Sequence, residues 1–336
     1  MHYLITGHTG FKGSWLALML EKQGHAVSGI ALDPSVNSLF SEANISSLFL
    51  HDLRLDIRDR EAMKQSISTI NPDFIIHLAA QPIVRESYRI PLETFDINVT
   101  GTLNVLEATR ELQNLRAVLI VTTDKVYKNQ NLRRGYVETD ELGGDDPYSA
   151  SKAAADIASQ SWIKSFATVP ITIARAGNVI GGGDWAQDRI IPDLVNSYSK
   201  KEIPTLRFPH AIRPWQHVLD CLNGYLQLLH KQSSQGLTGE WNFGPDLKEK
   251  HSVLNLVEAF ASNWGVEGRS WKESTDEFLH ETGFLLLDSE KSRGQLSWSE
   301  KLNFHEAVAW TSSWYKSEVP ILERTQRQIE NFYKLP

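Results

Sequence analysis

The sequence predicts an α/β protein with a doubly wound parallel sheet and a smaller C-terminal lobe. Three observations carry this reading. Short β-branched apolar runs alternate with stretches of helical periodicity over the first half of the chain, a glycine turn follows the first run directly, and the alternation breaks down near residue 178.

The strand-like runs are Tyr3 to Thr6, Ala26 to Leu32, Phe74 to Ala79, Ala117 to Thr122 and Ile171 to Ala174. Between them lie the helical stretches Ser14 to Gln23, Glu61 to Ile70, Val99 to Leu112 and Ala150 to Phe166. From Asn178 onward a glycine turn, scattered prolines and a tryptophan-rich tail suggest a lobe over the strand ends. The expected division is a dinucleotide-binding domain over 1–177, with a returning segment near 214–245, and a substrate lobe over 178–213 and 246–336. A ligand belongs in the crevice between the two.

Composition excludes several classes. A chain of 336 residues, 41% hydrophobic and 22% charged, is long enough for a large core. A net charge of -7 argues against a nucleic-acid-coating surface and leaves only a local anion pocket. Cys221 is the single cysteine, which removes an intramolecular disulfide and a cysteine-based metal cluster. No helix-spaced His/Glu set stands near His210 or His217, so no metal is expected. The first strand begins at Tyr3 without room for a leader, and no apolar run approaches the roughly 18 residues that cross a bilayer. The expectation is a cytoplasmic protein with neither membrane nor nucleic-acid partners.

Gly7, Gly10 and Gly13 in Gly7-His8-Thr9-Gly10-Phe11-Lys12-Gly13 sit between a strand and a helix. Absent side chains there let a pyrophosphate approach the backbone, and the helix N-terminus stabilises its charge. A tight structural turn is the alternative. Lys12 adds either a phosphate contact or a solvated charge. A dinucleotide fold places an acid near the end of its second strand for the adenosine ribose, and Asp33, twenty residues past Gly13, is the candidate.

Tyr148 and Lys152 stand at i and i+4, one face of a helix. An ammonium there stabilises phenolate and fits the tyrosine to take a hydroxyl proton. An exposed surface pair is the bland reading. Against it, Thr123 ends a strand twenty-five residues before Tyr148, a separation that resembles the one the short-chain dehydrogenases use for their Ser/Thr, Tyr and Lys triad.

With the glycine turn, these residues resemble the extended short-chain dehydrogenases/reductases, a Rossmann-like family, in their nucleotide-sugar epimerase/dehydratase branch. Thr123-Asp124-Lys125, the run Leu142 to Tyr148, the run Ala174 to Trp185 and Arg213-Pro214-Trp215-Gln216-His217-Val218 are similar to the CDP-glucose 4,6-dehydratase type. The resemblance implies NAD as cofactor, a nucleotide-sugar substrate with CDP-glucose favoured, and a homodimer in which the Tyr148 helix and the long helix before it pair across a two-fold axis. It implies cofactor contacts from Gly7, Thr9, Gly10, Phe11, Lys12, Gly13, Asp56, Ile57, Leu78, Ala79, Ala80, Tyr148 and Lys152. The family's ribose acid aligns with Ala31, two residues before Asp33 on the same expected strand face. Asp56 has helix capping as its alternative.

The reaction so implied starts with Tyr148 taking the 4-hydroxyl proton while Thr123 orients that oxygen. Asp124 is then the acid toward the 6-oxygen and Lys125 the base at carbon 5, unless the two form a structural salt bridge. Gln81, Arg85, Asn178, Arg189 and Arg213 are the implied substrate contacts, with Gly181-Gly182-Gly183 opening the backbone or simply turning it. Tyr88 reads as packing. The rivals are a UDP-, dTDP- or GDP-sugar dehydratase, a 4-epimerase, and a non-catalytic NAD-binding sensor.

Overall fold

A computed structural model of the protein describes residues 1–130, 132–274 and 283–336. Its centre is a seven-stranded sheet of β1 (His2–Thr6), β2 (Ala26–Ala31), β3 (Phe49–Arg54), β4 (Phe74–His77), β5 (Ala117–Val121), β6 (Ile171–Ala176) and β7 (Gly239–Phe243). The spatial order is β7-β6-β5-β4-β1-β2-β3, with every neighbouring pair parallel. Chain order reverses between β1 and β4, and in such sheets that crevice takes the ligand.

Side chains alternate along these strands, so each strand feeds two cores. Tyr3, Ile5, Ile76 and Leu119 pack with α1 (Phe11–Lys22) on one face. Leu4, Ile75, Val118 and Ile120 pack on the other face with α2 (Arg60–Ile70) and α3 (Gly101–Ala108). A π-helical turn, Asp96–Thr100, joins α3 to the preceding Pro91–Phe95 helix. The same face carries α4 (Pro147–Phe166), started by Pro147 and by Asp146, whose side chain accepts from the Ser149 amide.

Past β6 the chain forms α5 (Ile190–Ser199), then returns to the sheet through α6 (Val218–Gln235) and β7. The remaining lobe holds α7 (Val253–Trp264), α8 (Glu290–Leu296), α9 (Phe304–Lys316) and α10 (Ile321–Lys334). Trp298 and Trp314 of this lobe, and Trp241 of β7, are fully buried, as packing rather than as base-stacking surfaces. No helix among the described residues is long and apolar enough to cross a membrane.

Two boundaries differ from expectation and matter for the site. Strand β2 ends at Ala31, so Asp33 lies beyond it and shares no strand face with Ala31. Strand β4 ends at His77, so Leu78 to Gln81 form the loop after it.

Candidate active site

One cavity of about 1200 Å³ lies along the C-terminal strand ends, walled on one side by the Gly7 to Gly13 turn and on the other by α5 and the lobe. The turn is shaped by its own backbone. Gly7 has φ +75°, and a Cβ there would stand 2.7 Å from the Ala79 amide nitrogen; one on Gly13 would stand 2.4 Å from the Gly7 carbonyl oxygen. These two glycines are therefore required by chain packing. Gly10 differs, being exposed at the N-cap of α1, where no side chain caps the helix and no acid stands in the first turn. Its open N–H groups leave this helix end suited to an anion.

Thr9, Phe11 and Lys12 line the cavity with the three glycines. Lys12 Nζ turns to the Tyr225 hydroxyl at 3.2 Å, a buried partner that the solvated-lysine reading did not anticipate. Asp56, Ile57, Leu78, Ala79 and Ala80 also line it. Helix α2 is capped by Asp59, which accepts from the Ala62 amide, so capping is not the role of Asp56. Asp56 accepts instead from the Arg58 amide at 2.9 Å and from its guanidinium, which holds the carboxyl below its ordinary range. Asp33 points away: its side chain is 90% exposed, 3.4 Å from Arg54 Nε. Ala31 and Leu32 form the wall where an acid was expected, because the strand stops before Asp33.

The catalytic candidates converge. Thr123 Oγ1 donates to Asp124 Oδ1 at 2.9 Å, and Tyr148 lines the same cavity. Asp124 is buried, and its Oδ2 has no hydrogen-bond partner. Burial raises its pKa against the pull of Lys125, the Thr123 hydrogen bond and Arg213. No ion pair joins Asp124 to Lys125 among the described residues, which removes the structural salt-bridge reading; Lys125 is half-buried on the cavity wall. Lys152 Nζ donates to the Val121 carbonyl at 2.9 Å. Burial lowers its pKa to about 8, with Asp156 opposing.

The expected stabilisation of phenolate by Lys152 is not present in this arrangement. Burial pushes Tyr148 up to about 12, eased chiefly by Thr123, while the Lys152 charge is spent on the Val121 carbonyl. Standing at i and i+4 brings the two residues to one helix face without bringing the ammonium to the phenol oxygen.

The substrate candidates divide. Arg213 is buried and Asn178 half-buried, and both line the cavity. Arg189 lines it too, 3.0 Å from Asp184. Arg85 pairs with Asp188 at 2.7 Å at the wall. Gln81 spends its amide internally, accepting from the Ile83 amide at 2.6 Å and donating to Thr94 at 3.0 Å, so it shapes the loop after β4. Gly181, Gly182 and Gly183 are not on the wall: added Cβ atoms would strike Val218, Trp314 and Leu39, so these glycines serve lobe packing. Tyr88 is 42% exposed on the wall rather than packed, because the short Val84–Arg89 helix carries it across the cavity mouth.

Spacing arguments missed Asp184, Asp193, Arg207 and Phe208, all on the wall. Asp184 and Asp193 stand apart from the Arg207-Phe208 pair in sequence, and the fold brings them to one wall. Burial lowers the pKa of His217 to about 3, and its Nδ1 accepts from the Leu219 amide as a helix cap. Among the described residues no group of three His, Cys, Asp or Glu side chains could hold a metal ion.

Residues 3–244 match the model of the NAD dependent epimerase/dehydratase family. The chain is 39% identical to a CDP-glucose 4,6-dehydratase of Salmonella typhimurium, over 98% of this chain and 95% of that one. It superposes with a TM-score of 0.81 and 21% identity on the dTDP-glucose 4,6-dehydratase of Bacillus anthracis in complex with NAD, covering 97% of this chain and 99% of that one. The UDP-glucose 4-epimerase of Thermus thermophilus in complex with NAD gives the same TM-score at 23% identity, covering 95% and 100%. Shape therefore establishes the fold and does not by itself separate dehydration from epimerisation.

Proposed function

Because the chain belongs to the NAD dependent epimerase/dehydratase family, we propose that it is an NAD-dependent nucleotide-sugar 4,6-dehydratase that converts CDP-glucose to CDP-4-keto-6-deoxyglucose. The observation that carries the reading is Asp124, a buried carboxyl with one free oxygen beside Thr123 and Lys125. Oxidation at carbon 4 alone needs no such acid, whereas loss of the 6-hydroxyl does.

The residues present fit the dinucleotide. The uncapped N-terminus of α1 at Gly10 suits the pyrophosphate, and Asp56 with Ile57 stands where adenine would lie. Arg54 is paired with Asp52 and Asp33, so no free cation among the described residues awaits a 2′-phosphate at the end of β2. Bound NAD supplies the acceptor for hydride leaving carbon 4 and the donor that returns it to carbon 6.

Tyr148 accepts the 4-hydroxyl proton, and Thr123 holds that oxygen. The ketone so formed acidifies carbon 5, where Lys125 removes the proton. Asp124 protonates the departing 6-hydroxyl, which leaves as water. Lys125 returns its proton to carbon 5 when hydride reaches carbon 6. The proton gained by Tyr148 balances the one spent by Asp124, and exchange with solvent restores both groups. The sugar has lost one water and undergone no net oxidation.

Arg213 and Arg189 hold the diphosphate, with Asn178 and Arg85 toward the sugar. We assign 1–177 with 214–245 to the cofactor and 178–213 with 246–336 to the nucleotide sugar. The protein acts as a cytoplasmic homodimer in this reading. Exposed Leu92 and Phe95 stand beside α4, which exposes Ile157 and Phe166, an apolar surface suited to a second copy. Sedimentation velocity at micromolar concentration tests the dimer.

Incubation with NAD and, separately, CDP-, UDP-, dTDP- and GDP-glucose tests the activity. CDP-glucose is expected to give a 4-keto-6-deoxy product with its alkaline absorbance. Formation of a 4-epimer, or turnover of another nucleotide in preference, overturns the reading.

A further inference from the structure

We propose that Asp193 is the residue that selects cytosine, by accepting a hydrogen bond from the exocyclic amine of the base. The inference rests on the dehydratase reading above and adds to it the group that tells CDP-glucose from its uridine counterpart.

The cavity has a direction. Its chemical end is marked by Tyr148 and Asp124, and the charges of Arg189 and Arg213 are felt at those two groups respectively. Helix α5 starts immediately after Arg189, and Asp193 lies one turn along it, about 6 Å further by the helical rise. A diphosphate gripped by the two arginines puts the nucleoside beyond them, beside Asp193. The wall there includes Pro204, Leu206, Phe208 and Val253, apolar cover for a flat ring, interleaved with Thr205 and Arg207.

Within that wall Asp193 is exposed to the cavity, and among the described residues its carboxylate has no hydrogen-bond or ion-pair partner. The neighbouring acid is already used, since Asp188 is bound by Arg85 at 2.7 Å. Charges that reach Asp193 come from Asp188, Arg207 and Arg85, none of them catalytic.

Cytosine and uracil are nearly isosteric, so apolar packing cannot separate them. They differ at one edge: cytosine offers an N4 donor where uracil offers an O4 acceptor. A carboxylate only accepts, so it pairs with cytosine and repels uracil, which combines attraction for one base with rejection of the other. A helix-dipole role for an acid in the first turn of α5 affects stability alone and leaves base preference untouched.

The test compares wild type with Asp193→Asn and Asp193→Ala in the full-length protein with NAD, using kcat/KM for CDP-glucose and UDP-glucose and calorimetric binding of CDP and UDP. Binding needs no turnover, so an inactive variant is still informative. Asp193→Asn is expected to lower the CDP:UDP preference about 10- to 100-fold, because its amide can donate to O4. The change should lie in KM rather than kcat, since the base is remote from the reacting carbons. Unchanged CDP:UDP ratios in both variants, with wild type selective for CDP, overturn the Asp193 assignment alone. A wild type that turns over no nucleotide-linked glucose overturns the function on which it rests.

Discussion

Thr123 donates to Asp124 Oδ1 across 2.9 Å, so the residue that holds the 4-oxygen is joined to the acid that serves the 6-oxygen, with Tyr148 on the same cavity wall. The dehydration cycle oxidises carbon 4 and protonates the 6-oxygen, and Thr123 ties the two steps together by holding the 4-oxygen while bonded to Asp124. Thr123→Val should lower kcat by about 10² to 10³, the range associated with losing a positioned proton-transfer group. Thr123→Ser should retain most of it. Full turnover by the valine variant in a steady-state assay with CDP-glucose would remove this positioning role.

Asp124→Asn should separate oxidation from water loss. The amide cannot protonate the 6-hydroxyl, yet nothing needed at carbon 4 has changed. Stoichiometric CDP-glucose should therefore build up the absorbance of reduced nicotinamide without forming the 4-keto-6-deoxy product. In the wild type, burial raises the Asp124 pKa, so the acid form persists above the ordinary carboxylate range and is lost as pH rises through the folded value. Its contribution to kcat should fall on the alkaline side and be missing from the pH profile of the variant.

Lys125→Met should stop exchange at carbon 5. Turnover of wild type in deuterium oxide places solvent deuterium there, and the variant should show no incorporation together with a fall in kcat of about 10² to 10⁴. Normal incorporation at normal rate assigns the base elsewhere.

The sheet was legible where strands are buried on both faces, because Leu4, Ile75 and Val118 sit in unbroken apolar runs. Strand β3 was not. Phe49–Arg54 is an edge strand with half-exposed and exposed positions, so His51, Asp52 and Arg54 interrupt the apolar signal. At the site, Thr123, Asp124, Lys125, Tyr148 and Lys152 were readable because their spacing follows two local elements, the end of β5 and the start of α4. The direction of the Lys152 ammonium was not readable, since the Val121 carbonyl that takes it belongs to another element. Asp33 failed for a smaller reason: the strand ends at Ala31, one residue sooner than its pattern suggested and two before Asp33.

Arg175 is the clearest case of a residue whose meaning needed the fold. It lies fully buried on β6 and meets Asp156 of α4 through two hydrogen bonds of 2.8 and 2.7 Å, while the same carboxylate accepts from Thr122 at 3.0 Å. Arg175→Met leaves a buried carboxylate without its cation and should cost about 3 to 5 kcal/mol in denaturant unfolding. Replacing both partners, Arg175→Met with Asp156→Leu, should recover much of that loss. A single variant with an unchanged midpoint would show that the pair contributes nothing to stability.

Asp220 predicts how stability depends on pH. Its carboxyl is buried on α6, accepting from the Lys301 and Leu302 amides at 2.7 and 3.3 Å, and burial pushes its pKa from 3.8 to about 7. The folded state thus holds this proton more tightly than the unfolded chain does. The resulting stability is fully present below about pH 4 and is lost as pH rises through about 7. A shift of this size corresponds to a few kcal/mol on the order-of-magnitude scale of about 1.4 kcal/mol per pH unit. Asp220→Asn keeps an acceptor for one amide and does not ionise, so its unfolding free energy should change less between pH 4 and 7 than that of the wild type. Urea titrations of both proteins across that interval measure the difference, and parallel pH profiles would show that Asp220 does not titrate there.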